Sequence, residues 1–163
     1  MLSPREPVLE RRRPIALLRG LLVLAFALTG CALPSAESSF ARVELDGTLW
    51  QVLVAGPDGM RGRTDFGTAD GMLFDLRGLV APGEVTFVMD GVSIPLAIAW
   101  FGPDGVLVGR DEMLPCGREP CPRHGPDAPF RWALEAPTGA FDQLASDAVL
   151  VIEPGQGASM TQS

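Results

Sequence analysis

A chain of 163 residues with 47% hydrophobic side chains has room for one packed domain and too much apolar content for a solvated, disordered polymer. Its formal net charge is −7, and the acids are concentrated downstream: from Cys31 onward there are 8 Arg and no Lys against 18 Asp plus Glu. Such a surface repels phosphate backbones, which argues against nucleic acid as a partner.

In chain order, the first feature is a basic start. Arg5, Arg11, Arg12, Arg13 and Arg19 fall within the first 20 positions, followed by an apolar run over 21–28 and then small residues. That layout is a secretory signal, since the run is shorter than the roughly 20 residues a bilayer span needs. "LTGC" at 28–31 resembles a bacterial lipobox. The resemblance implies cleavage before Cys31 and lipidation of its thiol, with two acyl chains giving a stable anchor. Residues 1–30 are therefore read as a signal peptide, and 31–47 as the lipidated Cys31 plus a small, polar tether. The expected location is the extracytoplasmic face of the cell membrane, with the membrane contacted through the anchor.

Short apolar or alternating runs then recur at 49–55, 72–76, 84–89, 94–101, 106–109, 130–136 and 148–153, each bounded by Gly, Pro or Asp. Val, Ile, Phe and Trp enrichment at these lengths predicts strands. "GPDG" at 102–105 carries Pro and Gly where a type I turn wants them, so 97–109 is predicted to be a hairpin. The same tetrapeptide at 56–59 predicts a second turn. Residues 138–145 allow two turns of helix at most. The pattern predicts an all-β fold: one compact, mainly antiparallel β-sandwich or barrel-like domain over 48–153 with at most one short helix, and a loose tail at 154–163.

Cys116, Cys121 and His124 sit together in "LPCGREPCPRHG" (114–125). A zinc site wants four ligands and only three candidates occur here. A redox pair is usually Cys-x-x-Cys, and the spacing here is Cys-x4-Cys among prolines. In an exported chain the expectation is a structural Cys116–Cys121 disulfide; metal and redox readings stand as its alternatives.

Three blocks resemble the small bacterial family of unknown function called DUF192. "GMRGRTDF" (59–66) with "ADGMLFDL" (69–76) is similar to the family's Gly-Leu-Met-x-Arg-x-x-Leu and Glu/Asp-Gly-Met-Leu-Phe. "FVMDGVSIPLAIAWFGPDGVLV" (87–108) is similar to Phe-Trp-Met-Lys-Asn-Thr-x-Ile-Pro-Leu-Asp-Ile and its hairpin, and "FRWALEAPTGAF" (130–141) to the Leu-Glu-x-x-x-Gly close. The resemblance implies a compact, mostly antiparallel β fold over roughly 48–153 and no settled activity. Arg63, Asp70 and Glu135 match the family pattern. Its Lys-Asn-Thr is replaced by Asp90-Gly91-Val92, its Trp by Val88, and its Asp after Ile-Pro-Leu by Ala97.

No phosphate loop or nucleophile elbow occurs, and no catalytic residue, metal or cofactor is predicted. Arg63, Asp70, Asp111, His124 and Glu135 are the candidate ligand-binding residues, and Trp50, Trp100, Trp132, Phe74, Phe87, Phe101 and Phe130 are expected mostly in the core. The predicted function is a lipid-anchored extracytoplasmic binding or envelope-associated module, taking a small apolar or sugar-like ligand or an envelope protein. The alternative is a carboxylate-dependent hydrolase or carbohydrate-modifying enzyme using Asp70, Asp111 and Glu135.

Overall fold

Among the described residues, seven strands account for the regular structure: β1 (Phe40–Leu45), β2 (Thr48–Val54), β3 (Gly71–Val80), β4 (Leu96–Phe101), β5 (Leu107–Met113), β6 (Phe130–Pro137) and β7 (Leu150–Ile152). The computed structural model describes residues 39–153; the predicted signal peptide, Cys31 and the tail 154–163 lie outside the described residues. The strands form one sheet in the order β5-β4-β6-β3-β2-β1-β7. Every neighbouring pair is antiparallel except β2 and β3, which run parallel. The fold is all-β, as the spacing of apolar runs and turn residues predicts.

The sheet curls until its two edges touch. Val106 pairs with Val149 in an isolated bridge, Leu107 N donates to Ala148 O at 2.9 Å and Leu150 N donates to Gly105 O at 2.8 Å. The contact is made by the 102–105 turn, where Gly105 N donates to Gly102 O (3.0 Å) and closes the β4–β5 hairpin. Gly105 has φ +81°, and a Cβ there would fall on the Leu150 carbonyl oxygen. Only glycine accommodates both demands.

Alternation along the strands divides the interior into two apolar clusters. On β4, Ala97, Ala99 and Phe101 pack with Val43, Val52, Leu73, Leu134 and Leu150 on one face. Leu96, Ile98 and Trp100 point the other way, with Leu53, Met72, Met113, Phe130 and Ala133. β4 is consequently buried along its whole length, the behaviour of a strand flanked by partners and covered on both faces. The second face is roofed by loop residues Met60, Phe66, Met89 and Val92 rather than by another sheet.

Two details differ from the sequence reading. Residues 40–45, placed within the tether, form β1: Ala41, Val43 and Leu45 are buried while Phe40, Arg42 and Glu44 face out. Residues 84–89 form no strand, because Phe87 and Met89 are used in the roof; Phe87 makes only a single bridge, to His124. Within the limit of two helical turns expected there, residues 138–145 contain no helix and fold as successive turns, in which Ala140 N donates to Pro137 O and Leu144 N to Phe141 O.

Candidate functional site

Between the roof and the second sheet face lies a cavity of about 280 Å³. The β2–β3 loop supplies Asp58, Met60 and Arg61, strand β3 supplies Phe74 and Leu76, and the β3–β4 loop supplies Val85, Phe87 and Asp90. Strand β6 contributes Glu135. A second depression of about 420 Å³ shares the 57–59 turn and Arg61 and extends to Ser39, Arg63 and Met72.

Strand register explains how Glu135 reaches this place. It pairs with Met72 on β3 and with Ile98 on β4, both members of the roofed cluster, and so its side chain shares their face. Glu135 is 6% exposed and is the buried charged residue of the described core. Its Oε2 has no hydrogen-bond partner among the described residues. Burial among apolar neighbours pushes the carboxyl up from 4.5 to about 7, because desolvation disfavours the charged form. The backbone at this point is tightly packed: a Cβ on Gly71 would strike the Glu135 carbonyl oxygen, so the glycine of the "ADGMLF" block lets β3 and β6 approach.

The walls are aromatic. Phe74 and Phe87 meet edge to face at 5.2 Å, and Phe87 also leans on Trp100 (6.2 Å) and Phe130 (6.5 Å). At the rim, Arg61 Nη1 donates to Asp90 Oδ2 at 2.7 Å, and Gly62 N donates to Gly91 O at 3.0 Å, which ties the two roof loops together. Both rim side chains are about half exposed, so the ion pair orients the loops more than it stabilises them.

The other sequence-predicted residues take separate places. Asp70 is exposed and accepts from Gln51 N (2.8 Å), while its own N–H donates to Gln51 O; it pins the start of the parallel β2–β3 pairing. Arg63 lines the second depression. Asp111 and His124 come together, with Nδ1 of His124 2.7 Å from Asp111 Oδ2. His124 also exchanges both backbone hydrogen bonds with Phe87 (2.8 and 2.9 Å), so the pair braces the roof against β5. Cys116 and Cys121 form a disulfide, as expected, with Cα atoms 5.6 Å apart. Asp90, Glu119 and Cys121 lie close enough to hold an ion geometrically, but Cys121 has no thiolate to offer once it is oxidised.

Asp70, Asp111 and Glu135 are thus not gathered into one cleft: the cavity holds Glu135, and neither Asp70 nor Asp111 lines it. Sequence reasoning overlooked Arg61 and its bond to Asp90. The available signal was paired substitution, since Arg61 stands where the family pattern has Met and Asp90 where it has Lys.

Two solved structures share the fold. A protein from Sinorhizobium meliloti 1021, described as a candidate transcription regulator, aligns with TM-score 0.60 and 21% identity over 72% of this chain and 97% of its own. A protein of unknown function from Novosphingobium aromaticivorans DSM 12444 aligns with TM-score 0.54 and 22% identity over 74% of this chain and 89% of its own. No curated protein matches the chain. The DUF192 family model, described as "Uncharacterized ACR", matches residues 54–152, from the end of β2 through β7. With more than half of its length matched, and the blocks at 59–76, 87–108 and 130–141 all inside that span, the chain belongs to the DUF192 family.

Proposed function

We propose that this protein is a binding module, exported and held on the extracytoplasmic face of the membrane by a lipid on Cys31, that takes a small, largely apolar ligand into the cavity above Glu135. The observation that carries the reading is the cavity itself. It combines aromatic and aliphatic walls with one buried polar group, the composition of a ligand site in which apolar contact supplies affinity and a single polar contact supplies orientation. The separate positions of Asp70, Asp111 and Glu135 weigh against the two-carboxylate hydrolase alternative, which needs paired groups flanking one bond. The Cys116–Cys121 bond supports an oxidising compartment, and the 28–31 "LTGC" supports the anchor.

Both parts are tested on the full chain expressed in a bacterial host. Radiolabelled palmitate is expected to label the wild-type protein and not a Cys31→Ala variant, which should leave the membrane fraction. Native mass spectrometry of the purified protein is expected to show an organic adduct, or to acquire one from an extract of the envelope. An unlabelled wild-type chain would remove the anchor from the proposal. Failure to take up any small molecule, combined with co-purification of a protein, would move the reading from a ligand-binding module to an envelope-protein partner.

A further inference from the structure

We propose that the cavity above Glu135 recognises a small primary amine with an apolar body, its ammonium group pairing with the Glu135 carboxylate. The inference rests on the binding-module reading and narrows its ligand. Three observations carry it.

First, Glu135 is a polar side chain more than nine-tenths buried, it lines the cavity, and its Oε2 lacks a partner among the described residues. An ionised carboxylate in that position is destabilised until something brings it donors and opposite charge. An ammonium group brings both. A neutral hydroxyl brings one donor and no charge, and an anion makes the site worse.

Second, the remaining charges favour a cation. Among the described residues the rim carries Asp58 and Asp90 with Arg61, which is already bonded to Asp90. The residues flanking Glu135 in the sheet, Met72 and Ile98, carry no charge, and among the described residues Asp58, Arg61 and Asp90 are the charged groups that line the cavity with it. Third, Phe74 and Phe87, in contact with each other, line the same cavity as Glu135 and present aromatic surface to it. Such surface suits the apolar body of a ligand and adds attraction for an ammonium group. A volume of about 280 Å³ restricts the ligand to a small molecule.

The geometry also sets the direction of the pH response. Burial holds the carboxyl protonated up to about pH 7, so amine binding should strengthen as the pH rises past that point. The test is an NMR titration of the full chain, disulfide intact, with matched probe pairs: benzylamine against benzyl alcohol, and phenethylamine against phenethyl alcohol. At pH 8 the amines are expected to shift the amides of the cavity residues and to bind at least tenfold more tightly than the alcohols. That advantage should disappear at pH 5.5 and in Glu135→Gln. The pH comparison in the wild-type chain stands by itself should the variant fold poorly. Alcohols binding as tightly as amines, or amine affinity unchanged in Glu135→Gln, would overturn the amine assignment and leave the apolar-ligand reading in place. Absence of shifts with every probe would sink both.

Discussion

Glu135 departs furthest from what its residue type prefers, and it makes the most direct residue-scale prediction. Its carboxyl titrates near 4.5 when exposed and near 7 in the fold, so the folded state holds the proton more tightly than the unfolded chain. Where the native state binds more protons, stability falls as pH rises. The contribution is full below about pH 4.5, declines through the window up to about 7, and is flat above it. A shift of that size corresponds to about 3 kcal/mol. Glu135→Gln removes the titration, so urea midpoints measured at pH 5 and pH 8 should differ clearly in the wild-type chain and lose most of that difference in the variant. A variant with the wild-type pH slope would show that the slope comes from other carboxylates. Persistence of a residue this unfavourable for stability, at a point where β3 approaches closely enough to require Gly71, is what makes the cavity more than a packing gap. The residue was visible in the sequence only as a match within a family block; its burial came from pairing with two strands that are far away in the chain, and periodicity along one segment does not encode that pairing.

At the scale of elements, the sheet was more legible than the roof. The runs at 49–55, 72–76, 94–101, 106–109, 130–136 and 148–153 each contain or overlap a strand, because apolar alternation between turn residues is imposed by a two-faced sheet. β1 was hidden because its buried residues, Ala41, Val43 and Leu45, are small or few and stand among Ser, Arg and Glu that look like tether. The 84–89 run misled for the opposite reason: a loop that must cover an apolar sheet face carries apolar residues too. The disulfide belongs to this roof. Two bridges, Phe87 with His124 and Asp90 with Cys116, join the β3–β4 loop to the 114–124 segment, and the Cys116–Cys121 bond closes the chain between them. Constraining so short a loop in the unfolded state is worth roughly 2 kcal/mol. The double variant Cys116→Ser, Cys121→Ser is therefore expected to lose about that much in guanidinium unfolding, insensitive to added reductant, whereas the wild-type chain loses it only when reductant is present. The local consequence separates this role from a general one. Amide exchange across the β1–β2 pairs should quicken only by the global loss of stability, while Phe87 and His124 should quicken more; equal acceleration everywhere would show that the bond does not act through the roof.

For the whole molecule the decisive feature is how the curled sheet closes. β7 has only three paired residues on β1, and its other side is held by the single bridge from the 102–105 turn. An edge strand this short is protected chiefly by that contact. Gly105 makes the contact possible, so Gly105→Ala meets two penalties at once: a left-handed backbone that a Cβ disfavours and a collision with the Leu150 carbonyl. The substitution is expected to cost roughly 2–3 kcal/mol, and the way the loss is distributed matters more than its size. The roofed cluster and the cluster containing Leu150 occupy opposite faces of the sheet, joined through β4, which is buried along its whole length. Opening the seam should therefore expose the amides of Leu107 and Leu150 to exchange while those of Phe87 and His124 keep their protection, and probe binding in the cavity should survive in the variant. Loss of cavity protection together with the seam would instead mean that the two faces open as one cooperative unit, with the binding site dependent on closure of an edge it does not touch.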